Sequence, residues 1–232
     1  MNTIDNAAAG TSDRRSGRKR AVVAAGALLG VAALATGAAF TDFGLLNING
    51  GGPDGGLGGA DNRYNIQVSA GQENTVDSVA TWIEANPDAA DVAPVAGADS
   101  LVPGGAPIYV KLPVRNDSPT FSSKLSLAFE NVTGAAATPE QEARNKAYAG
   151  LLRVDIAEVD DASAEPAAWT ASKLDIKDGH TAAADLHQLD PKAGKVVVAK
   201  VYLLDGADQA ATNAANGGTV KLQARFDGSS VN

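Results

Sequence analysis

Six stretches of the chain alternate apolar and polar residues with a period of two. Successive side chains of a β-strand point to opposite faces, so each stretch predicts a strand with one buried and one solvated face. Gly, Pro, Asn and Asp residues separate the stretches, which favours antiparallel strands over the helix-linked strands of a parallel α/β sheet. The predicted strands cover residues 64–68, 108–114, 121–129, 152–156, 197–203 and 220–226.

The same alternation predicts which side chains face the core. Proline cannot donate to a strand ladder, so Pro113 predicts that the strand containing it lies at an edge or a bulge. The predicted inward positions are Ile66, Val110, Leu112, Leu127, Phe129, Val154, Ile156, Val201, Leu222 and Phe226.

One helix is predicted between the third and fourth strands. Thr138 is placed to cap it, with a proline at the first helical position and Gln141 completing a capping box, so a helix is expected over residues 139–149. A second short helix is predicted over residues 76–85, and residues 88–105 are interpreted as loop. The predicted fold class is all-β, an antiparallel jelly-roll-like β-sandwich with a short helical insertion, in a single domain over residues 61–232.

The N-terminal 38 residues follow a different pattern. A basic cluster precedes a 15-residue apolar run over residues 21–35, which is the length of a signal peptide's apolar region and short for a stable membrane span. Small residues then lead to a predicted signal-peptidase cleavage between Ala38 and Ala39. The alternative is an uncleaved anchor whose apolar run extends to Phe40. With residues 1–38 as signal peptide, the protein is expected to be secreted or held at the cell surface.

The charge that remains after processing is strongly acidic. The chain has 19 basic and 27 acidic residues, and residues 1–38 contain five and two of these, so the remainder has 14 against 25 and a net charge of −11. Such a surface repels nucleic acid and anionic lipid, so membrane contact is expected only through an uncleaved signal segment. There is no cysteine, so the exported domain must be held by its core and backbone ladders without disulfides.

Residues 39–60 combine an apolar segment with a glycine-rich tether. Seven glycines between residues 50 and 59 make the tether flexible. Two interpretations are open: the segment adds as a donor strand to a neighbour's sheet edge, giving a head-to-tail homopolymer, or it folds back on its own domain. The apolar residues of this donor segment are Phe40, Phe43, Leu45, Leu46 and Ile48.

Little in the sequence is typical of an enzyme. His180 and His187 are seven residues apart, no His-Glu-x-x-His or Gly-x-Ser-x-Gly motif occurs, and both histidines are predicted to lie on the surface. No catalytic, cofactor-binding or metal-binding residue is therefore predicted. One group of acidic residues offers oxygens to calcium but lacks the spacing of a preformed loop, which favours solvated turns and strand ends. This group is Asp155, Glu158, Asp160, Asp161, Asp175 and Asp178.

Three motifs in order resemble the TasA and camelysin family, whose members carry the SipW-dependent type of signal peptide. Gly-Ala-Ala-Phe-Thr-Asp at residues 37–42 is similar to the Ala-Phe-x-Asp start of the family's mature chains. The Leu-Val-Pro-Gly-Gly turn at 101–105 precedes a strand that ends in Arg-Asn-Asp-Ser at 115–118, like the family's asparagine-rich corner. Asn-Ala-Ala-Asn-Gly-Gly at 213–218 is similar to the turn before its last strand. The glycine-rich tether departs from the family pattern.

The resemblance implies a jelly-roll sandwich exported to the cell surface, where family members build matrix fibres. In such fibres an N-terminal segment of one subunit completes the sheet of the next. The implied partners are further copies of the chain, together with signal peptidase during export. Metallopeptidase activity is also associated with the family, but this chain has no recognisable zinc motif, so that activity is not carried over.

The leading hypothesis is therefore a secreted structural subunit of an extracellular or cell-surface fibre or biofilm matrix, with no enzymatic activity and no cofactor. The first alternative is a secreted binding module for a surface ligand or polysaccharide. Against it, aromatic residues are few, and Trp82 and Trp169 lie in segments expected to face the core. The second alternative is a camelysin-like metallopeptidase.

Overall fold

A computed structural model describes residues 63–231 of the chain. The predicted signal peptide, the cleavage step between Ala38 and Ala39, the donor segment and the tether lie outside the described residues, as does the predicted domain boundary at residue 61. Within residues 63–231 the chain forms eight strands and two α-helices, which confirms the predicted all-β sandwich with a short helical insertion. The elements are β1 (Ile66–Val68), β2 (Ile108–Asn116), β3 (Ser122–Asn131), α1 (Pro139–Leu151), β4 (Leu152–Val159), β5 (Ala171–Asp175), β6 (Ala184–Asp185), β7 (Gly194–Leu203), α2 (Gln209–Ala214) and β8 (Leu222–Val231).

The strands form two antiparallel sheets. The larger sheet has the order β1-β2-β7-β4-β5 and the smaller has the order β6-β3-β8. Of the connections between described strands, those from β1 to β2 and from β4 to β5 stay within one sheet, and the others cross from sheet to sheet. Such crossing is how a jelly-roll-like sandwich closes its two layers over a common core.

The core lies between the sheets and is centred on β7 and β4. Val154 is paired with Val201 and Ile156 with Ala199, so four apolar side chains form one continuous inner surface. Leu127 of β3 is fully buried in the same core cluster. Seven of the ten predicted inward residues are buried, and the other three are half-buried against the core: Val110, Leu222 and Phe226.

The larger sheet is also partly covered on its outer face. Val196 and Val198 of β7 point away from the main core and pack with Ala162 in a second apolar cluster. The run Val196-Val197-Val198 is thus buried on both faces, as expected of a central strand. The alternation over residues 197–203 predicts burial of the inner face only.

The predicted edge position of the Pro113 strand is wrong, because β2 lies between β1 and β7. The carbonyl of Pro113 accepts a hydrogen bond from the Ser69 N–H at 3.0 Å, just beyond the end of β1. The nitrogen and carbonyl of one strand residue point to the same side, so the missing N–H faces the side where β1 has ended. Further along, the Gln72 side chain replaces a partner strand. Its Oε1 accepts from the Lys111 N–H at 3.0 Å and its Nε2 donates to the Lys111 carbonyl at 3.3 Å.

Helix α1 begins where predicted, and Thr138 Oγ1 caps it by accepting from the Gln141 N–H at 3.2 Å. The predicted capping box is wrong, because the Gln141 side chain donates instead to Asn145 Oδ1 at 2.8 Å and to the Gly217 carbonyl at 2.9 Å. The predicted second helix is wrong. A single 3₁₀ turn occupies Val76–Ser78, after which Ile83 pairs with Val68 through two backbone hydrogen bonds of 2.8 and 3.0 Å. Pairing with a sheet edge therefore prevails over helix formation there. No helix among the described residues is long and apolar enough to cross a bilayer.

Substitution of a fully buried core residue should cost more stability than substitution of a half-buried one. Leu127→Ala should lower the free energy of unfolding by about 2–5 kcal/mol, because its side chain is fully buried. Both Leu127 and Leu222 are expected from the sequence to fall in that range, but Leu222 is only half-buried, so Leu222→Ala should cost less. Urea denaturation of the two variants provides the measurement. Equal losses would contradict this placement of the core.

Candidate functional site: a sheet edge and the corner beside it

The turn between β2 and β3 is organised by one buried amide, that of Asn116. This residue has 0% exposure. Its Nδ2 donates to the carbonyls of Phe121 at 2.7 Å, Asp190 at 3.2 Å and Leu189 at 3.3 Å, and its Oδ1 accepts from the Ser118 N–H at 3.0 Å. One side chain therefore joins the end of β2, the approach to β3 and the loop that leads to β7.

The same corner fixes the first described residue of the chain. The Ser118 hydroxyl donates to the Arg63 carbonyl at 2.9 Å, and the Arg63 guanidinium donates to Asp117 at 2.9 Å. The Asp117 N–H donates to the Asn65 carbonyl at 2.8 Å. Residue 63, to which the tether attaches, is thus held at the end of the sandwich where β2 finishes and β3 begins.

Asp117 is the electrostatic centre of this corner. Its side chain is 13% exposed and lies 2.9 Å from Lys192 Nζ, 2.9 Å from Arg63 and 3.7 Å from Arg115. Burial by itself would raise the pKa of the Asp117 carboxyl, but the hydrogen bond from Lys192 and the charges of the three cations outweigh it and hold the pKa below its usual value. The carboxylate is therefore ionised at neutral pH and stabilises the root of the N-terminal segment.

Three of the four sheet edges in the described part of the chain are short or irregular. At the end of β1 the backbone groups of Val68 are taken by Ile83. β5 has five residues, a register shift against β4 and a positive φ of 56° at Lys173. β6 has two residues. Edges of this kind are poor templates for an added strand.

The fourth edge, that of β8, is long and regular. β8 contains ten residues and pairs with β3 without interruption from Leu222, opposite Asn131, to Val231, opposite Ser122. No strand within residues 63–231 pairs with its other side.

Hydrogen bonds on the far side of β3 show which β8 groups point outward. The Thr181 N–H donates to the Phe129 carbonyl at 2.8 Å, and the Phe129 N–H donates to the Thr181 hydroxyl at 2.9 Å. Both backbone groups of Phe129 therefore point away from β8. In an antiparallel pair, the opposite residue Ala224 then also points its N–H and carbonyl away from the partner strand. The same relation holds at alternate positions, so the outward groups belong to Leu222, Ala224, Phe226, Gly228 and Ser230.

Apolar surface accompanies these backbone groups. Leu222, Ala224 and Phe226 lie opposite inward residues of β3, yet each is only half-buried. Gly228 packs so closely on β1 that an added methyl group would lie 2.9 Å from Ile66 Cγ1. Val110 of β2, in the larger sheet, is likewise half-buried against the core cluster. The β8 edge thus combines directed hydrogen-bonding groups with partly exposed apolar side chains.

The acidic residues considered for calcium are not brought together. Asp155 accepts from the Lys173 N–H at 2.6 Å, and Glu158 binds His187. Within the described residues, no three His, Cys, Asp or Glu side chains are grouped so that they could hold a metal ion. The other four are dispersed, with Asp160 paired to Lys195, Asp161 bonded to Ser163, Asp175 paired to Lys177, and Asp178 in an exposed turn.

Both histidines are exposed, as predicted. The His187 ring is 80% exposed, and its Nδ1 lies 2.7 Å from Oε2 of Glu158. The His187 N–H also donates to both Glu158 oxygens at 3.0 Å, and this carboxylate is only 5% exposed. This pair joins β4 of the larger sheet to the loop that follows β6 of the smaller sheet. Sequence patterns missed it because the partners are 29 residues apart.

The expectation that both tryptophans face the core is wrong. Trp82 is half-buried beneath the Arg115 guanidinium, whose central carbon lies 4.6 Å from the ring centroid. Trp169 is half-buried beside Lys200, on the outer face of the larger sheet. Core-facing tryptophans were one argument against a binding module, and that argument therefore no longer holds.

Asp117→Asn should lower the free energy of unfolding by about 1–3 kcal/mol at pH 7, because it removes a largely buried charge with three cationic neighbours. The folded chain keeps this carboxyl ionised to lower pH than the unfolded chain does. Its contribution is therefore present above the unfolded pKa of about 4 and is lost as pH falls through the folded pKa.

Urea denaturation between pH 7 and pH 2.5 tests this expectation, with Asp160→Asn as the control because that carboxylate is 87% exposed. Wild type and Asp117→Asn should converge in acid, whereas the control should follow wild type throughout. A stability difference that persists unchanged at the lowest pH would contradict the electrostatic role.

The chain matches no model of a known protein family, and no curated protein matches it significantly. The resemblance of its ordered motifs to the TasA and camelysin family remains a prediction from the sequence. The geometry that bears on function is the β8 edge together with the Asn116 corner.

Proposed function

We propose that the protein is a secreted structural subunit of an extracellular or cell-surface fibre or matrix. In this proposal residues 40–48 of one copy pair with the outer edge of β8 in the next, and repetition gives a head-to-tail homopolymer. The observation that carries the proposal is the ten-residue edge of β8, the longest regular edge in the described part of the chain. The motif order that resembles the TasA and camelysin family supports it.

The reach of the tether is sufficient for this pairing. Residues 49–62 are 14 residues that extend up to roughly 46 Å at about 3.3 Å per residue. A ten-residue strand such as β8 is about 34 Å long at about 3.4 Å per residue. Residue 63 is fixed at the Asn116 corner, so in this proposal residues 49–62 would bridge the distance from that corner to a neighbouring sandwich.

The chemistry of the two partners is complementary. Main-chain hydrogen bonds supply affinity in strand addition, while alternate side chains fill pockets and supply specificity. An added strand would carry Phe40, Leu46 and Ile48 on one face. Phe43 and Leu45 would lie on the other face, so both faces would offer apolar side chains to the neighbouring subunit. The net charge of −11 predicted for the processed chain repels copies that approach without this contact.

Deletion of residues 39–49 should leave a folded monomer that no longer forms filaments. The first described strand begins at Ile66, well after the deleted segment, so the sandwich should keep its circular dichroism and cooperative unfolding. Negative-stain microscopy of the secreted protein with and without the deletion provides the measurement. Filaments from the truncated protein would contradict the donor role. A full-length protein that stays monomeric and loses thermal stability on truncation would indicate that the segment folds back on its own chain.

A proline at the β8 edge should separate assembly from folding. Ala224→Pro removes an N–H that points to the outer edge, so the β3–β8 ladder should survive while donor pairing is blocked. Gln223→Pro is the matched control, because Gln223 pairs with Glu130 toward β3 and its loss should destabilise the sandwich itself. The expected result is a stable, filament-free Ala224→Pro variant and an unstable Gln223→Pro variant. Wild-type filaments from Ala224→Pro would place the acceptor elsewhere.

A further inference from the structure

Aromatic residues are concentrated on the outer face of the larger sheet. The chain has two tryptophans and four tyrosines, and Tyr109, Trp169 and Tyr202 come together on this face. Tyr109, Lys200 and Asp155 lie directly opposite one another on β2, β7 and β4. Tyr202 follows two positions after Lys200, so its side chain shares the same face. Trp169 reaches the cluster from the connection between β4 and β5.

Lys200 stands between two of these rings. Its Nζ lies 5.5 Å from the Trp169 centroid, 5.8 Å from the Tyr202 centroid and 3.6 Å from Glu165 Oε1. The first two distances are near the outer limit of a cation–π contact, about 6 Å, and longer than the roughly 3.5–4.0 Å of packed atoms. The ammonium therefore lies over both rings but is not packed tightly against either. All three rings are half-buried, so each is anchored while part of it faces solvent.

Hydrogen bonds fix the orientation of the two tyrosines. The Tyr202 hydroxyl donates to Asp155 Oδ1 at 3.3 Å, and that carboxylate is held by the Lys173 N–H at 2.6 Å. Burial, followed by the hydrogen bond and charge of Glu165, raises the pKa of Tyr109 to about 12, so its hydroxyl remains a donor. The Glu165 side chain is 56% exposed and that of Lys200 is 24% exposed, so both present polar atoms to solvent.

The rest of this face is built differently. Around Val196 and Val198 it is closed by apolar contacts with Ala162, and Tyr109 also packs against this apolar cluster. Around Lys200 the same sheet is covered instead by rings, a carboxylate and an ammonium. Partly exposed aromatic rings beside hydrogen-bonding groups suit a pyranose ring, whose C–H face packs on an aromatic face while its hydroxyls bond to carboxylate, ammonium or phenol.

We propose that this outer face binds a neutral, β-linked polysaccharide chain, with sugar rings packed on Trp169 and Tyr202 and their hydroxyls bonded to Glu165 and Lys200. Neutral sugars are favoured over acidic ones because Lys200 is balanced by the nearby Glu165, and the chain as a whole carries a net charge of −8. Tyr109, Lys200 and Asp155 form a row across three adjacent strands, and such a row suits an extended chain. This activity goes beyond the fibre role and does not depend on assembly.

Tryptophan fluorescence provides a direct test, because Trp82→Phe makes Trp169 the sole tryptophan of the chain. Titration of the full chain carrying this substitution with cellohexaose should give a saturable change in emission, and oligogalacturonate of the same length should give none. No saturable change with cellohexaose would overturn the proposal. Tighter binding of the acidic oligomer would overturn the assignment of a neutral ligand.

Calorimetric titration of variants with cellohexaose locates the site. Trp169→Ala should weaken binding at least about tenfold, Glu165→Ala at least about threefold, and Trp169→Phe less than about threefold, since the aromatic face is kept. Trp82→Phe is the matched control and should bind as wild type does. Thermal melts exclude unfolding, and Glu165→Ala removes an exposed side chain, so it tests the site even if Trp169→Ala fails to fold. Binding that is unchanged in both Trp169→Ala and Glu165→Ala would overturn the proposal.

Discussion

The buried amide of Asn116 is the interaction on which the rest of the sandwich depends. Three carbonyls and one N–H meet on this fully buried side chain. Without it, the Phe121 carbonyl would lose a partner, at a cost of about 1–3 kcal/mol for a buried group left unsatisfied, whereas the Leu189 carbonyl would keep its hydrogen bond from the Ser123 N–H at 2.7 Å. Through its neighbours Asp117 and Ser118, the corner also holds residue 63, the first described residue of the chain.

Period-two patterning located the strands whose inner faces are buried, because burial of one face is the physical cause of the alternation. It failed where other forces decide. β5 is short and lacks apolar alternation, and β6 contains two residues held by their pairing with β3. The sequence predicts a helix over residues 76–85, but beyond the 3₁₀ turn at Val76–Ser78 the backbone of Ile83 pairs with that of Val68 instead. Pro113 lies inside a sheet because β1 is too short to require its N–H.

Much less of the candidate sites could be predicted. The sequence of β8 resembles that of any half-buried strand, and its position at an edge follows from the order β6-β3-β8, which no local pattern encodes. The outer-face cluster was missed for a similar reason. Tyr109 and Tyr202 occupy ordinary polar-face positions in the alternation, and Trp169 stands in an irregular connection. Their meeting at Lys200 depends on the register between β2, β7 and β4. The corner was visible in the sequence only as a short motif of family resemblance.

An exposed, regular edge is a hazard for a secreted protein, since it accepts any strand of suitable shape. In the described part of the chain, three edges are blunted by shortness, a register shift or a local backbone partner, and the β8 edge alone is long and straight. The presence of one long, regular edge within residues 63–231 has a specific consequence. If one donor segment leaves from the Asn116 corner and one acceptor edge lies along β8, each copy has one of each, and growth is limited to a linear, directional chain. In the proposed function, the predicted signal peptide would also control when assembly begins. Residues 40–48 directly follow the predicted cleavage point, so before cleavage they would remain attached to the signal peptide. Release of Ala39 as a free N-terminus would then give the donor strand its freedom outside the cell, where neighbouring β8 edges are the available partners.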